Sequence, residues 1–266
     1  MNGLQLYIRL LGTSVRSQLQ YRASFLLAAS GQFLATGVEF LGIWALFARF
    51  DQLQGWRLAE VALFYGTLSV AFAIGDALGT GYDRMGAMVR SGDFDRVLVR
   101  PRSTVLQIMG IELAMRRVGR LLQGLIVLCA AVYVLDITWT PATVALLLLT
   151  IVGGVCLFLG LFVLQGTLTF WTVESVEAVN AFSYGGVTAG QYPITIYADW
   201  FRQFFTFIVP LACVSYLPLT LVLDKEDILG VPPVLRASAP LVGVSFLWLA
   251  LSIWQVGVRR YKSTGN

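Results

Sequence analysis

The residues able to do chemistry in this chain are few, and their types exclude most of it. Histidine is absent, and Cys129, Cys156 and Cys213 lie far apart inside apolar runs. With no CxxC pair and no imidazole, the usual ligands of zinc or haem cannot be assembled. Thiols in such runs are expected to be buried and inert. No GxxxxGK(S/T), HExxH or GxSxG string occurs, so no phosphate cradle, zinc protease site or nucleophile elbow is expected. The chain is thus expected to catalyse nothing by itself and to bind no metal or cofactor.

What remains is charge set in apolar sequence. Glu39 lies about ten residues before Arg49, hence roughly 15 Å inside a helix at ~1.5 Å per residue. A carboxylate at membrane depth is costly and a functional candidate by default. It is expected to line a solute path, to be protonated, or to pair with a residue of another helix. Asp76 sits near the end of a second apolar run, where solvent or a nearby arginine can satisfy it, and a structural role is expected. Glu112 and Arg116 stand at i and i+4 and should pair on one helix face. Glu174 and Glu177 are expected to cap a helix start.

The elements that must position these groups are membrane spans. Hydrophobic residues make up 57% of the chain and charged ones 13%, against about 45–50% and 25% in soluble domains. Apolar runs at roughly 23–47, 58–78, 120–135, 142–171 and 239–258 approach or exceed the ~18–20 residues that cross a bilayer. The expected fold is all-α and polytopic. Residues 1–22 form an amphipathic interfacial helix with Leu4, Ile8, Leu11, Val15 and Leu19 at helical spacing. The arginines spread through them argue against a cleavable signal peptide. One permease-sized domain fills 23–258, and 259–266 is a tail.

Residues 172–223 admit two readings. Either 201–223 is a single span, or 175–192 is a short polar fifth span followed by a hairpin, about 200–223, that dips into the membrane and returns. Pro210 and Pro218 favour the hairpin, each expected to break a helix, and Tyr192-Pro193 is a natural stop before it. Both readings give six crossings. Arginines concentrate in 83–120 and at both ends of the chain, which places both termini in the cytoplasm by the positive-inside rule. The net charge of +4 is read as this asymmetry, with no nucleic-acid partner implied. Trp44, Trp56 and Trp139 fall near the outer ends, where interfacial tryptophans collect. Gly153-Gly154 and Gly185-Gly186 are expected to serve close helix packing.

The longest interruption of the apolar pattern is 83–101. Within it Phe94, Val97 and Leu98 recur at i, i+3 and i+4 and can form one apolar patch on a short helix. Asp93, Asp95, Arg96 and Arg100 surround the patch, giving an aromatic anchor with a charged rim. The alternative is a surface loop that merely obeys the positive-inside rule.

Gly92-Asp93-Phe94-Asp95-Arg96-Val97-Leu98-Val99-Arg100-Pro101 resembles the GxxDxxLxRP segment of type-2 ABC exporter permeases, in the branch of small six-span subunits. Phe170-Trp171, Gln191 to Tyr197, Pro210 and Tyr216-Leu217-Pro218 resemble the second half of the same branch. The resemblance implies a permease of the bacterial inner membrane, surrounded by lipid. It would form half of a translocation path with a second permease, the same or a related chain. Two separate ABC ATPase subunits would carry ATP and magnesium. It further implies that 83–101 holds a coupling helix docking on the ATPase through Asp93, Phe94, Asp95, Arg96, Leu98, Arg100 and Pro101, and that the hairpin is external. An ion-coupled secondary transporter is the rival reading. A lipid-transferring membrane enzyme is disfavoured by the lack of histidine and of a polar cluster at a span end.

Overall fold

A computed structural model describes residues 20–111, 114, 117–172, 176–227 and 229–261, together with positions 12 and 16. The amphipathic helix expected over 1–22, the Glu112–Arg116 pair, Glu174, the side chain of Glu177 and the tail beyond 261 therefore lie outside the described residues. Apart from one isolated β-bridge, Leu53–Trp56, the described secondary structure is helical.

Helix α1 (Arg22–Arg49) ends in a tight turn whose Gln54 and Gly55 take positive φ. Glycine adopts that conformation without steric cost. Helix α2 (Leu58–Asp83) follows, and its first turn is closed by the Arg57 N–H donating to Glu60 Oε2 at 2.8 Å. Its residues are apolar on nearly every side, as in a helix surrounded by protein. It is accordingly the central element, with almost its whole length buried. Two short helices follow, α3 (Met85–Ser91) and α4 (Asp93–Val99), then α5 (Thr104–Met109). Helix α6 (Val118–Val134) returns, and α7 (Pro141–Leu168) crosses again, with Thr140 Oγ1 accepting from the Thr143 N–H at its start. Helix α8 (Val176–Gly190) stops just before Tyr192-Pro193, where the sequence places the stop. Helices α9 (Asp199–Phe207) and α10 (Tyr216–Val222) form a bent pair, α11 (Pro233–Ser238) is a short connector, and α12 (Leu241–Arg260) closes the bundle.

Among the described residues four helical stretches are long and apolar enough to cross a membrane: Arg22–Arg49, Leu58–Ser91, Pro141–Leu168 and Leu241–Arg260. The segments Asp199–Phe207 and Leu211–Val222, bent by 72°, make a fifth if taken as one span. Helices α6 and α8, with 17 and 15 residues, are shorter. The chain is thus an all-α polytopic membrane protein, but full-length spans do not carry all six expected crossings. The bend occurs at Val209-Pro210, as expected of a residue without an N–H. Pro218 behaves differently. It sits in the first turn of α10, where no helical N–H bond is required, so it does not break the helix.

Glycines set how closely the spans approach. Gly75 and Gly79 of α2 receive Phe158 and Phe162 of α7, with only 3.1 and 2.6 Å available to a Cβ. A Cβ at Gly243 of α12 would collide with the Gly153 carbonyl of α7. Gly154 likewise has Ala71 at 2.8 Å, so the Gly153-Gly154 pair serves close packing. Gly185-Gly186 does not: Gly185 meets nothing within 4 Å, and Gly186 has only an ordinary contact with Phe205. Gly243→Leu should therefore separate α12 from α7 and cost about 1–3 kcal/mol or more, the usual range of overpacking. Gly185→Ala should be nearly neutral. Thermal unfolding in detergent, with both variants side by side, checks the contrast.

Candidate functional site: a coupling surface and a polar core

Gly92, at φ +75°, turns the chain sharply between α3 and α4. The new helix starts with Asp93 and Asp95 and carries Arg96 in its last turn, each charge at the favourable pole of the helix dipole. Ser91 Oγ donates to Asp93 Oδ2 at 2.7 Å, and Arg96 lies 3.3 Å from the same carboxylate. Gln107 Nε2 donates to the carbonyls of Val97 and Arg102, both at 3.2 Å, which ties the far end of α4 to α5.

Phe94 departs from its expected role. Its side chain is 0% exposed. Its ring centroid lies 5.1 Å from Phe170, 5.0 Å from Tyr261 and 6.2 Å from Trp254. Trp254 stands edge-on to Tyr82 at 5.3 Å and donates Nε1–H to Thr104 Oγ1 at 3.0 Å. The anchor thus inserts into its own chain and cannot be the surface a partner grips. It clamps α4 to the ends of α7 and α12, because three aromatic rings there offer it more apolar surface than solvent does. Burial of the Tyr261 ring, then the nearby Asp95 carboxylate, push its phenol above the ordinary value.

The opposite side of α4 is open. Val97 is turned inward, but Leu98 is exposed and Val99 is 84% exposed, with Arg96, Arg100, Pro101 and Arg102 around them. The chain leaves helical geometry at Arg100 (φ −77°, ψ 129°), which lifts the Leu98-Val99 pair outward. Val99 was missed by sequence reasoning. Its one signal was an apolar side chain directly before Arg100-Pro101.

A second constellation lines the interior. Tyr65, Ser69, Phe72 and Asp76 recur along one face of α2 at i, i+4, i+7 and i+11. Tyr65 Oη donates to the Thr36 carbonyl of α1 at 2.8 Å, and Gln191 reaches Ser69 at 3.4 Å. Asp76, 0% exposed, pairs with Arg117 Nε at 2.7 Å, and Arg117 donates to Tyr184 Oη of α8 at 3.0 Å. Asp76 is thus ion-paired with an arginine, and through Tyr184 the arrangement joins three helices. Glu39, 52% exposed on α1, lies 3.6 Å from Arg120, whose guanidinium stacks 4.9 Å over the Phe72 ring. Of the roles open to Glu39 in the sequence, the structure displays an ion pair with another helix.

At the other end of α2, Glu60 is held by Lys225 at 2.7 Å, and Lys225 also donates to the Gly55 carbonyl and lies 4.2 Å over Trp56. Trp56 donates to Thr195 Oγ1 at 3.1 Å and is buried, unlike an interfacial tryptophan. Trp44 and Trp139 are exposed. All three cysteines are free, but none is fully buried as expected: Cys129 is exposed on α6, and Cys156 and Cys213 are half-buried. No group of three potential metal ligands occurs among the described residues.

No curated protein and no solved structure matches the chain. A family model described as "ABC-2 family transporter protein" does match, over residues 33–265. That stretch contains the polar core, the clamped α4 and the bent pair, and on this ground the chain belongs to the ABC-2 transporter family, as a membrane permease component of an ABC transporter.

Proposed function

We propose that this permease is half of an ATP-driven exporter, paired with a second permease and worked by separate ABC ATPase subunits that carry ATP and magnesium. The observation that supports this best is the two-sided build of α4. One face is locked by Phe94 to the ends of two long helices, α7 and α12, while the other presents Leu98 and Val99 within an arginine rim. Displacing such an element moves the spans with it. A loosely attached loop would absorb the displacement. The docking surface is Leu98, Val99, Arg96, Arg100 and Pro101, with Asp93 and Asp95 setting the local charge.

In this reading α6 and α8 complete six crossings as short spans, and α9–α10 is an external re-entrant hairpin. The arginine-rich end and both termini face the cytoplasm of a bacterial inner membrane. The half-exposed Glu39–Arg120 pair lies at the edge of a path completed by the second permease. Reconstitution separates this from an ion-coupled carrier. Vesicles holding the permease and its ATPase should move an amphiphilic substrate only with hydrolysable ATP. Transport by the permease alone on an ion gradient would contradict the proposal.

A further inference from the structure

At the end of the bundle away from α4, a cleft of about 470 Å³ opens between α1, α2 and α6. Its volume falls in the ~300–1,000 Å³ range of small-molecule sites. The space exists because four positions on the facing helices α2 and α6 are alanine: Ala59, Ala62, Ala130 and Ala131. The cleft is otherwise walled by apolar side chains such as Phe40 and Val134, with charge confined to Asp51, Arg57 and Asp136. A second, polar crevice of about 180 Å³ abuts it, shares Arg57, Leu135 and Asp136, and adds Thr138 and Asp224. An apolar chamber joined to a polar one through shared charged residues is complementary to an amphiphile.

The charges narrow the class. Glu60 beside the crevice is already neutralised by Lys225. Arg57 keeps a largely exposed guanidinium, 3.5 Å from Glu60. Asp51 and Asp136 form no ion pair among the described residues. The mouth thus offers one cation, Arg57, and two carboxylates outside any described ion pair, Asp51 and Asp136, with a third, Asp224, in the adjoining crevice. A phosphate suits Arg57, an ammonium suits the carboxylates, and an anionic headgroup without an amine would meet repulsion from both aspartates.

We propose that this cleft binds a bilayer phospholipid with an amine-bearing, zwitterionic headgroup, its acyl chain against the alanines and its headgroup at Arg57, Asp51 and Asp136. Its assignment to the outer leaflet rests on the topology proposed above; the site itself does not.

Native mass spectrometry of the full chain, equilibrated with equal amounts of phosphatidylethanolamine and phosphatidylglycerol of the same acyl composition, tests it. Phosphatidylethanolamine adducts should exceed phosphatidylglycerol adducts by about fivefold or more, and Asp51→Asn with Asp136→Asn should bring the ratio near one. Ala131→Phe, which fills the chamber, should lower both adducts. The double asparagine variant alters no packing, so it remains informative if Ala131→Phe folds poorly. Equal binding of the two lipids by the unaltered chain, an unchanged preference in the asparagine variant, or full retention in a folded Ala131→Phe protein would each overturn the proposal. A reversed topology would leave the preference intact, so the two failures are distinguishable.

Discussion

Replacing Asp76 by alanine is expected to destabilise the permease more than any other single polar substitution, by about 3–5 kcal/mol. The carboxylate is fully buried, and its partner Arg117 is nearly so. Removing one member leaves the guanidinium in apolar surroundings without its counter-ion. It also frees the arm that donates to Tyr184, loosening α8 from α2 and α6. Asp76→Asn should cost less, about 1–3 kcal/mol, because the amide keeps the shape of the side chain and a partial negative charge on the oxygen beside Arg117. The double variant Asp76→Leu, Arg117→Met should lose less than the sum of the single losses, since a buried pair can be exchanged for apolar packing at little cost. Thermal unfolding of the unaltered protein, Asp76→Leu, Arg117→Met and the double variant in one detergent gives the coupling. Additive losses would show that the pair is not the unit described here.

The second large effect is expected at Phe94. Truncation to alanine removes a fully buried ring from a cluster of Phe170, Trp254 and Tyr261 and should cost about 3–5 kcal/mol. Trp254, now 1% exposed, should gain solvent access and shift its emission to longer wavelength. Phe94→Leu should restore most of the stability. This differs from the behaviour of a docking anchor, whose truncation would weaken the complex and leave the isolated permease intact. Unchanged melting and unchanged Trp254 emission in Phe94→Ala would return the residue to the surface. If α4 is the lever, the same variant should hydrolyse ATP in the complex without moving substrate.

The long spans were legible because apolar runs of such length have few other uses, and α8 ends just before the stop that Tyr192-Pro193 foretells. The direction of the α4 patch was not legible. Spacing at i, i+3 and i+4 identifies a face but not what covers it, and the covering residues, Phe170, Trp254 and Tyr261, lie far along the chain. The same distance hid Trp56, which reads as an interfacial tryptophan until Thr195 and Lys225 are brought to it. Gly153-Gly154 and Gly185-Gly186 look alike in sequence, yet only the first pair lies so close to neighbouring residues that a Cβ would collide. Pro218 shows that a proline breaks a helix by position, since the first turn of α10 has no N–H bond to lose. Asp76 was readable as a satisfied charge, but Arg117 was one of several arginines able to satisfy it.

The most direct test of the coupling account is the affinity between ATPase and permease when the exposed face of α4 alone is changed. Leu98→Asp with Val99→Asp places two charges on exposed residues of α4 outside the aromatic cluster around Phe94. The account predicts an unchanged melting temperature, loss of ATPase co-purification by roughly tenfold or more, and no ATP-dependent transport. Full ATPase binding and normal transport in that doubly charged protein would contradict it.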